Sequence, residues 1–179
     1  MINDVLVLLK NQLNSYFASL SLDGSAADFP AINPATSQFT LKPGKVNVLL
    51  YRIEKDPVMG QRGTPSCPTM NINLNVLFVV TVTDYQTSLK YLSQTIQFFQ
   101  THRSFNPQNA PDMAASLGEL AVDIITFDLA DQSALWLMHT NAYLPSVAYQ
   151  VKTVVFGSSA SNIPSTPINT IDLQVQVQP

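Results

Sequence analysis

"NINLNVLFVVTVTDYQTSLKYLSQTIQFFQ", residues 71–100, decides how the rest of the chain is read. Its first third is the clearest strand pattern in the sequence. Met70, Ile72, Leu74, Val76, Phe78, Val80 and Val82 occupy every second position and alternate first with Asn71, Asn73 and Asn75, then with Leu77 and Val79. Side chains along a strand point to opposite faces, so this pattern predicts a half-exposed first part and a second part buried on both faces. The period then changes. Tyr85, Leu89, Leu92, Ile96 and Phe99 recur at helical spacing, which predicts an amphipathic helix over residues 83–102 with that stripe turned to the core. Thr83 followed three residues later by Gln86 fits a capping box at its start.

Working outward gives a simple alternation of elements. Upstream, Ile2, Val5, Leu6, Leu9, Leu13, Tyr16, Phe17 and Leu20 predict an N-terminal amphipathic helix. "SLDGSAADFPAINPATS" reads as a loop, and "KVNVLLYRIEKD" as a strand with Val46, Val48 and Leu50 on one face and Asn47, Leu49, Tyr51 and Ile53 on the other. "DPVMGQRGTPSCP" is a long turn-rich loop. Downstream come the loop "RSFNPQNAPDM", a strand in "GELAVDIITFDLA" with Leu120, Val122 and Ile124 on one face, a short helix in "DQSALWLMHTN", and a fourth strand, "PSVAYQVKTVVFG". Pro145 sits at the start of that strand, where a missing N–H costs little. The fold class expected is α+β (mixed α/β): a single mixed sheet of about four strands packed with helices. The expected organisation is a domain over residues 1–157, a Ser/Pro linker over 158–167 and a tail over 168–179. In that tail Ile171, Leu173, Val175 and Val177 alternate with polar residues, the pattern of a strand that closes its own sheet or extends a neighbour's.

Composition narrows the function classes. Of 179 residues, 46% are hydrophobic and 12% charged, against roughly 25% charged in average globular chains. A polar surface built from Asn, Gln, Ser and Thr repels itself weakly and suits a subunit of an assembly, or equally a small neutral monomer. Nine Lys and Arg are scattered and the net charge is −3, which argues against nucleic acid as a partner. One cysteine, Cys67, excludes an internal disulfide. "MINDVLVLLKNQ" lacks a basic leader, and the longest apolar runs fall far short of the ~20 residues that cross a bilayer. The expectation is synthesis in the cytoplasm and no membrane insertion.

Residues with catalytic or metal chemistry are few. His102 and His139 each end a helix, where a cation suits the dipole, and neither stands in a metal-ligand spacing. Cys67 has no local base. Asp123, Asp128 and Asp131 read as solvated strand and cap carboxylates. No glycine-rich phosphate loop occurs. The sequence leans away from an enzyme; the expectation is no catalytic residue, no cofactor and no metal. Phe98, Phe99, Phe105, Trp136, Tyr143 and Tyr149 read as core or interface anchors, or as the lining of a ligand pocket in a monomeric binding module.

Taken in order, "KVNVLLYRIEKDP", "RGTP", "NINLNVLFVVTVTDYQTSLKYLSQTIQFFQ", "FNPQNAP", the Leu135–Trp136 pair and "YLPSVAYQVK" resemble the tail-terminator, or cap, family of extracellular contractile injection systems of the antifeeding-prophage type. The resemblance spans about residues 2–157, with "LLYR", "LNVLF" and "LPSVAYQVK" its most specific parts. The family usually has a basic residue where Gln150 or Lys152 stands, and here only Lys152 keeps one. What the resemblance implies is a structural protein: a homohexameric ring on the distal end of an inner tube, under the last sheath layer, ending growth and anchoring the sheath. The partners it implies are itself, the inner-tube protein and the sheath protein, within a phage tail-like particle that is released or membrane-anchored. A phage head–tail joining protein would share the same ring physics. The expected assembly interface comprises Tyr51, Arg52, Gln150, Lys152, Ile171, Leu173, Val175 and Val177, with the Tyr149 face of the fourth strand packed on helices.

Overall fold

The computed structural model describes residues 1–33, 38–56, 69–114, 116–139 and 143–157. The tail, Cys67 and the side chain of His139 lie outside the described residues. Among the described residues three helices, α1 (Ile2–Ser19), α2 (Tyr85–Thr101) and α3 (Leu129–His139), accompany eight strands. These are β1 (Ala27–Asp28), β2 (Ala31–Asn33), β3 (Gln38–Thr40), β4 (Val46–Lys55), β5 (Thr69–Val80), β6 (Ser104–Phe105), β7 (Leu120–Ile125) and β8 (Ser146–Gly157). Six form one sheet in the order β1-β4-β5-β8-β7-β6; β2 and β3 pair as a separate two-stranded sheet. The α+β class expected from the sequence is therefore observed, with four substantial strands as read. The additional ones, β1 to β3 and β6, are two or three residues long; β1, β2 and β6 fall in stretches read as loops, and β3 in residues 38–44, which carry no element reading. They are too short to show a period, and the chain's own neighbours, not its pattern, recruit them: β1 pairs parallel with Val46 and Asn47, and β6 pairs with Leu120 and Ala121.

Strand β5 lies at the centre, antiparallel to both β4 and β8. One face carries Ile72, Leu74, Val76, Phe78 and Val80, which join Val46 and Val48 of β4, Val147, Tyr149 and Val151 of β8, and Leu120 and Val122 of β7 in the main core. Helices α1 and α2 cover that core, α1 through Val5, Leu8, Leu9, Leu13 and Phe17. The aromatic centre is a chain of rings: Phe78 to Phe99 at 5.1 Å, Phe99 to Tyr149 at 4.7 Å, and Phe98 to Phe99 at 4.9 Å. The Tyr149 face of β8 thus packs on a helix, as expected. On the opposite face Leu49, Leu77, Val79 and Ala148 meet Trp136 of α3.

Four local readings are corrected. Asn71, Asn73 and Asn75, expected to be half-exposed, are buried: β5 is flanked on both sides, and the Gln150 side chain of β8 bonds Asn75. In β4 a bulge between Leu50 and Arg52 inserts one residue. It places Tyr51 and Arg52 on the same face and returns Ile53, opposite Leu74, to the helix side, not beside Tyr51 as simple alternation predicts. Helix α2 is capped by Asp84 and not Thr83: the Asp84 carboxylate accepts hydrogen bonds from the Thr87 N–H at 2.8 Å and hydroxyl at 2.6 Å. Those bonds hold its carboxyl below the usual carboxylate range.

The fourth correction concerns the apolar stripe of α2. The residues it buries are Ser88, Thr95, Phe98 and Phe99, whereas Tyr85, Leu89 and Ile96 are 64%, 40% and 37% exposed. Helix α2 is turned so that small hydroxyl residues meet the core. Ser88 and Thr95 satisfy their own hydroxyls on the Val82 and Tyr91 carbonyls, at 2.8 Å each, and so enter the core without an unpaired polar group. The rotation makes a testable contrast. Phe99→Ala removes a ring from the aromatic chain and is expected to cost about 3–5 kcal/mol of stability in denaturant titration, whereas Ile96→Ser falls within about 0.5 kcal/mol of the parent. Equal losses at both positions would place the stripe inward after all.

Candidate assembly interface

The sheet face turned away from α1 and α2 holds four of the expected interface residues, Tyr51, Arg52, Gln150 and Lys152. The bulge in β4 sets Tyr51 and Arg52 side by side there; the register of β8 against β5 and β7 brings Gln150 opposite Asn75 and Asp123, and Lys152 opposite Ala121. A second irregularity, between Ile72 and Leu74 in the β5–β8 ladder, gives β8 one extra residue there as well. Both bulges lie beside Asn73 and Asn75, so the lower half of the sheet is bent on both sides of its central strand.

The arrangement is a polar network, not a row of free charges. The Gln150 amide N–H donates to Glu54 Oε2 at 3.2 Å and to Asn75 Oδ1 at 3.3 Å. Arg52 Nε meets Glu54 Oε1 at 2.8 Å, and Lys152 Nζ meets an Asp123 carboxylate oxygen. Arg52, Lys152 and Asp123 are largely open to water, so these pairs contribute at most about 1 kcal/mol each and leave the face electrostatically balanced. Tyr51 turns away from this network toward Phe127, ring edge to ring face at 5.8 Å. Burial, with Glu54 nearby, pushes the Tyr51 phenol up to about 12, and burial alone does the same to Tyr149.

Of the eight expected interface residues, four are thus brought to one face; Ile171, Leu173, Val175 and Val177 lie outside the described residues. Sequence reading missed Glu54, Asn73, Asn75 and Asp123 as members of the network. The signal was present in the Asn-x-Asn-x-Asn alternation, which marks a polar row on one strand face. Asn73 Oδ1 is buried without a hydrogen-bond donor. Asn47, by contrast, is fully saturated: its Oδ1 accepts from the Lys42 N–H at 2.8 Å, and its amide donates to the Lys42 carbonyl at 3.0 Å and the Thr81 hydroxyl at 3.1 Å.

The remaining candidates take structural places. His102 closes α2, its Nδ1–H donating to the Phe98 carbonyl at 3.0 Å while its ring stacks on Phe98 at 4.6 Å. Asp128 caps α3 by accepting the Asp131 N–H at 2.7 Å. The six aromatic residues do not share a pocket: Phe98, Phe99, Phe105 and Tyr149 belong to the main core, and Trp136 and Tyr143 pair across the other face at 5.8 Å. Two cavities flank Trp136. One, about 220 Å³, opens among Leu77, Ile125, Phe127 and Ala148; the other, about 520 Å³, runs past Leu129, Leu137 and Tyr143. Among the described residues no three His, Cys, Asp or Glu side chains are grouped for a metal, and no helix is long and apolar enough to cross a membrane.

The profile of the Pvc16 N-terminal domain family matches residues 4–170, nearly the whole chain. The chain belongs to this family. The resemblance to contractile-system caps noted in the sequence is therefore upheld. The Pvc16-type fold is also seen in two solved structures. The sheath/tube terminator of PVC, an extracellular contractile injection system, in its extended state, aligns with a TM-score of 0.62 at 16% identity, over 100% of this chain and 64% of the other. The tube-terminating cap of the anti-feeding prophage aligns with a TM-score of 0.57 at 14% identity, over 92% of this chain and 59% of the other. The chain thus spans less than two thirds of the length of either protein. No curated protein matches by sequence.

The two kinds of buried asparagine give an expected difference. Asn47→Ala leaves the Lys42 backbone and the Thr81 hydroxyl without their partner and is expected to cost about 1–3 kcal/mol. Asn73→Ala, which removes an acceptor that nothing fills, is expected to cost clearly less. Chemical denaturation of the two variants compares them directly, and a larger loss at Asn73 would mean that its carbonyl is paired in solution.

Proposed function

We propose that the chain is a structural cap that ends the tube of a contractile injection system. The observation that carries this reading is the family match across residues 4–170. In this reading six copies close into a ring on the distal end of the inner tube, beneath the last sheath layer. The ring blocks addition of further tube and sheath subunits and holds the sheath, so that contraction drives the tube. Its partners are itself, the inner-tube protein and the sheath protein, and it performs no catalysis.

The surface supports an assembly role. Large permanent interfaces, often above roughly 2,000 Å², favour faces poor in net charge and dotted with apolar side chains. This chain has both: few charges overall, a balanced network of Arg52, Glu54, Gln150, Asp123 and Lys152, and exposed Tyr85, Leu89, Leu129, Leu137 and Tyr143. We assign Tyr51, Arg52, Gln150 and Lys152 to an interface of the assembled particle, and the alternating segment 168–177 to strand pairing with a neighbouring chain there, in the ring or the sheath. The groove of Leu129, Trp136, Leu137 and Tyr143 favours one other reading, a monomeric module that binds an apolar ligand or peptide.

Native mass by light scattering separates the two. The expected result is a six-fold ring, formed by the free chain or only when inner-tube protein is added. A strict monomer indifferent to tube protein would remove the cap reading and favour the binding module. Removing residues 165–179 is expected to leave the fold and the ring intact while sheath is lost from the capped end of particles in electron micrographs. Normally sheathed particles from that deletion would sink the role given to the tail.

A further inference from the structure

Among the described residues, one long edge of the sheet has no strand paired along most of its length. Val46 donates its N–H to Ala26, and Asp56 donates its N–H back to Asn71 in β5. Counting from these two ends through the bulge, the outward-pointing backbone groups of β4 past its ladder with β1 are those of Leu50, Ile53 and Lys55. Strand β1 pairs only with Val46 and Asn47, so among the described residues no strand pairs with β4 beyond them. An unpaired edge of this length invites pairing with another strand. Natural sheets shield such edges.

This chain carries a segment whose alternation fits. In residues 168–177, Ile171, Leu173, Val175 and Val177 alternate with Asp172, Gln174 and Gln176, so an extended backbone there would carry an apolar row and a polar row. Edge β4 has the same two-sided character. On the helix side it shows Ile53, half exposed, beside Leu50; on the other it shows Arg52 and Glu54, backed by Asn73, Asn75 and Gln150. A strand laid here with its apolar row toward the helices covers Ile53. Its amide row extends the polar network, and Asp172, the only charge of the segment, comes to the side that holds Arg52.

The connection is also the right length. Strands β8 and β4 run in the same direction, both antiparallel to β5, and both finish at one end of the sheet: Gly157 pairs with Thr69, and Lys55 with Ile72. From β8 to a new strand outside β4 is three strand spacings, about 14 Å. Residues 158–167 reach about 33 Å when extended. A chain that turns back after Gly157 therefore arrives antiparallel to β4, the pairing that a short return makes naturally.

We propose that in the free subunit residues 168–177 add to the outer edge of β4 of the same chain as an antiparallel strand. The edge is thereby closed until assembly, where any partner that takes the tail must first displace it. This concerns the isolated chain and holds or fails independently of the cap reading.

Backbone amide hydrogen exchange on the purified full chain, read by NMR, tests it. The amides of Ile53 and Lys55 are expected to be protected, and to lose roughly ten-fold or more of that protection when residues 165–179 are removed. A full-length L173P/V175P variant, which lacks two of the tail's N–H donors, is expected to show the same loss with the β5 amides unchanged. Protection independent of protein concentration identifies pairing within one chain. The proposal fails if Ile53 and Lys55 exchange equally in all three proteins. It fails equally if their protection grows with concentration, which would mean exchange of tails between copies.

Discussion

Everything in this fold hangs on one strand that must be bonded along both edges and covered on both faces. Strand β5 donates and accepts to β4 on one side and β8 on the other, and those three account for the body of the sheet. A backbone in that position can leave no polar group unpaired without a cost of about 1–3 kcal/mol each. That cost fixes the register of both neighbours together. It also divides the protein: aliphatic and aromatic side chains go to the helix layer, and amides with a small second cluster go to the other.

The helix layer follows from how closely α2 can approach. Its contact residues Ser88 and Thr95 are short and hydrogen-bonded to nearby backbone carbonyls, Val82 just before the helix and Tyr91 within it, so the axis settles near the sheet and lets Phe98 and Phe99 reach Phe78, Phe105 and Tyr149. The larger apolar residues of the same helix, Tyr85, Leu89 and Ile96, are displaced outward by that choice. A helix that buried the larger stripe would sit farther from the sheet and break the ring-to-ring contacts of the core. The exposed apolar residues of α2 are thus a consequence of packing.

This explains which parts of the fold were legible in the sequence. The long strands and all three helices announce themselves through periods of two and 3.6, because burial of one face is a property of the pattern itself. Bulges are not: the extra residue at Tyr51 leaves no mark in "VNVLLYRIEK", and it alone decides that Arg52 joins Tyr51 while Ile53 crosses to the helix side. The rotation of α2 was illegible for a related reason, since hydrophobicity favours Leu89 and Ile96 and only close packing favours Ser88 and Thr95. Half of the candidate interface was readable through Tyr51, Arg52, Gln150 and Lys152. Their partners Glu54, Asn75 and Asp123 become visible only when three strands are set in register.

The polar face then has a physical logic of its own. A row of buried asparagines inside a sheet contributes little net stability, because an amide that finds a protein partner only exchanges water for a bond of similar strength, and Asn73 Oδ1 finds none. What such a row does supply is discrimination. Slipping β8 by one residue against β5 would move Gln150 to the helix side and strand both Asn75 and Glu54, while putting Val151 among the amides. The bulges on either side of Asn73 and Asn75 work the same way, since a bulge pins a register that plain alternation leaves free to slide. A central strand with a neighbour on each edge has more ways than most to pair wrongly. Polar side chains that are satisfied in one register only are a direct means of excluding the others.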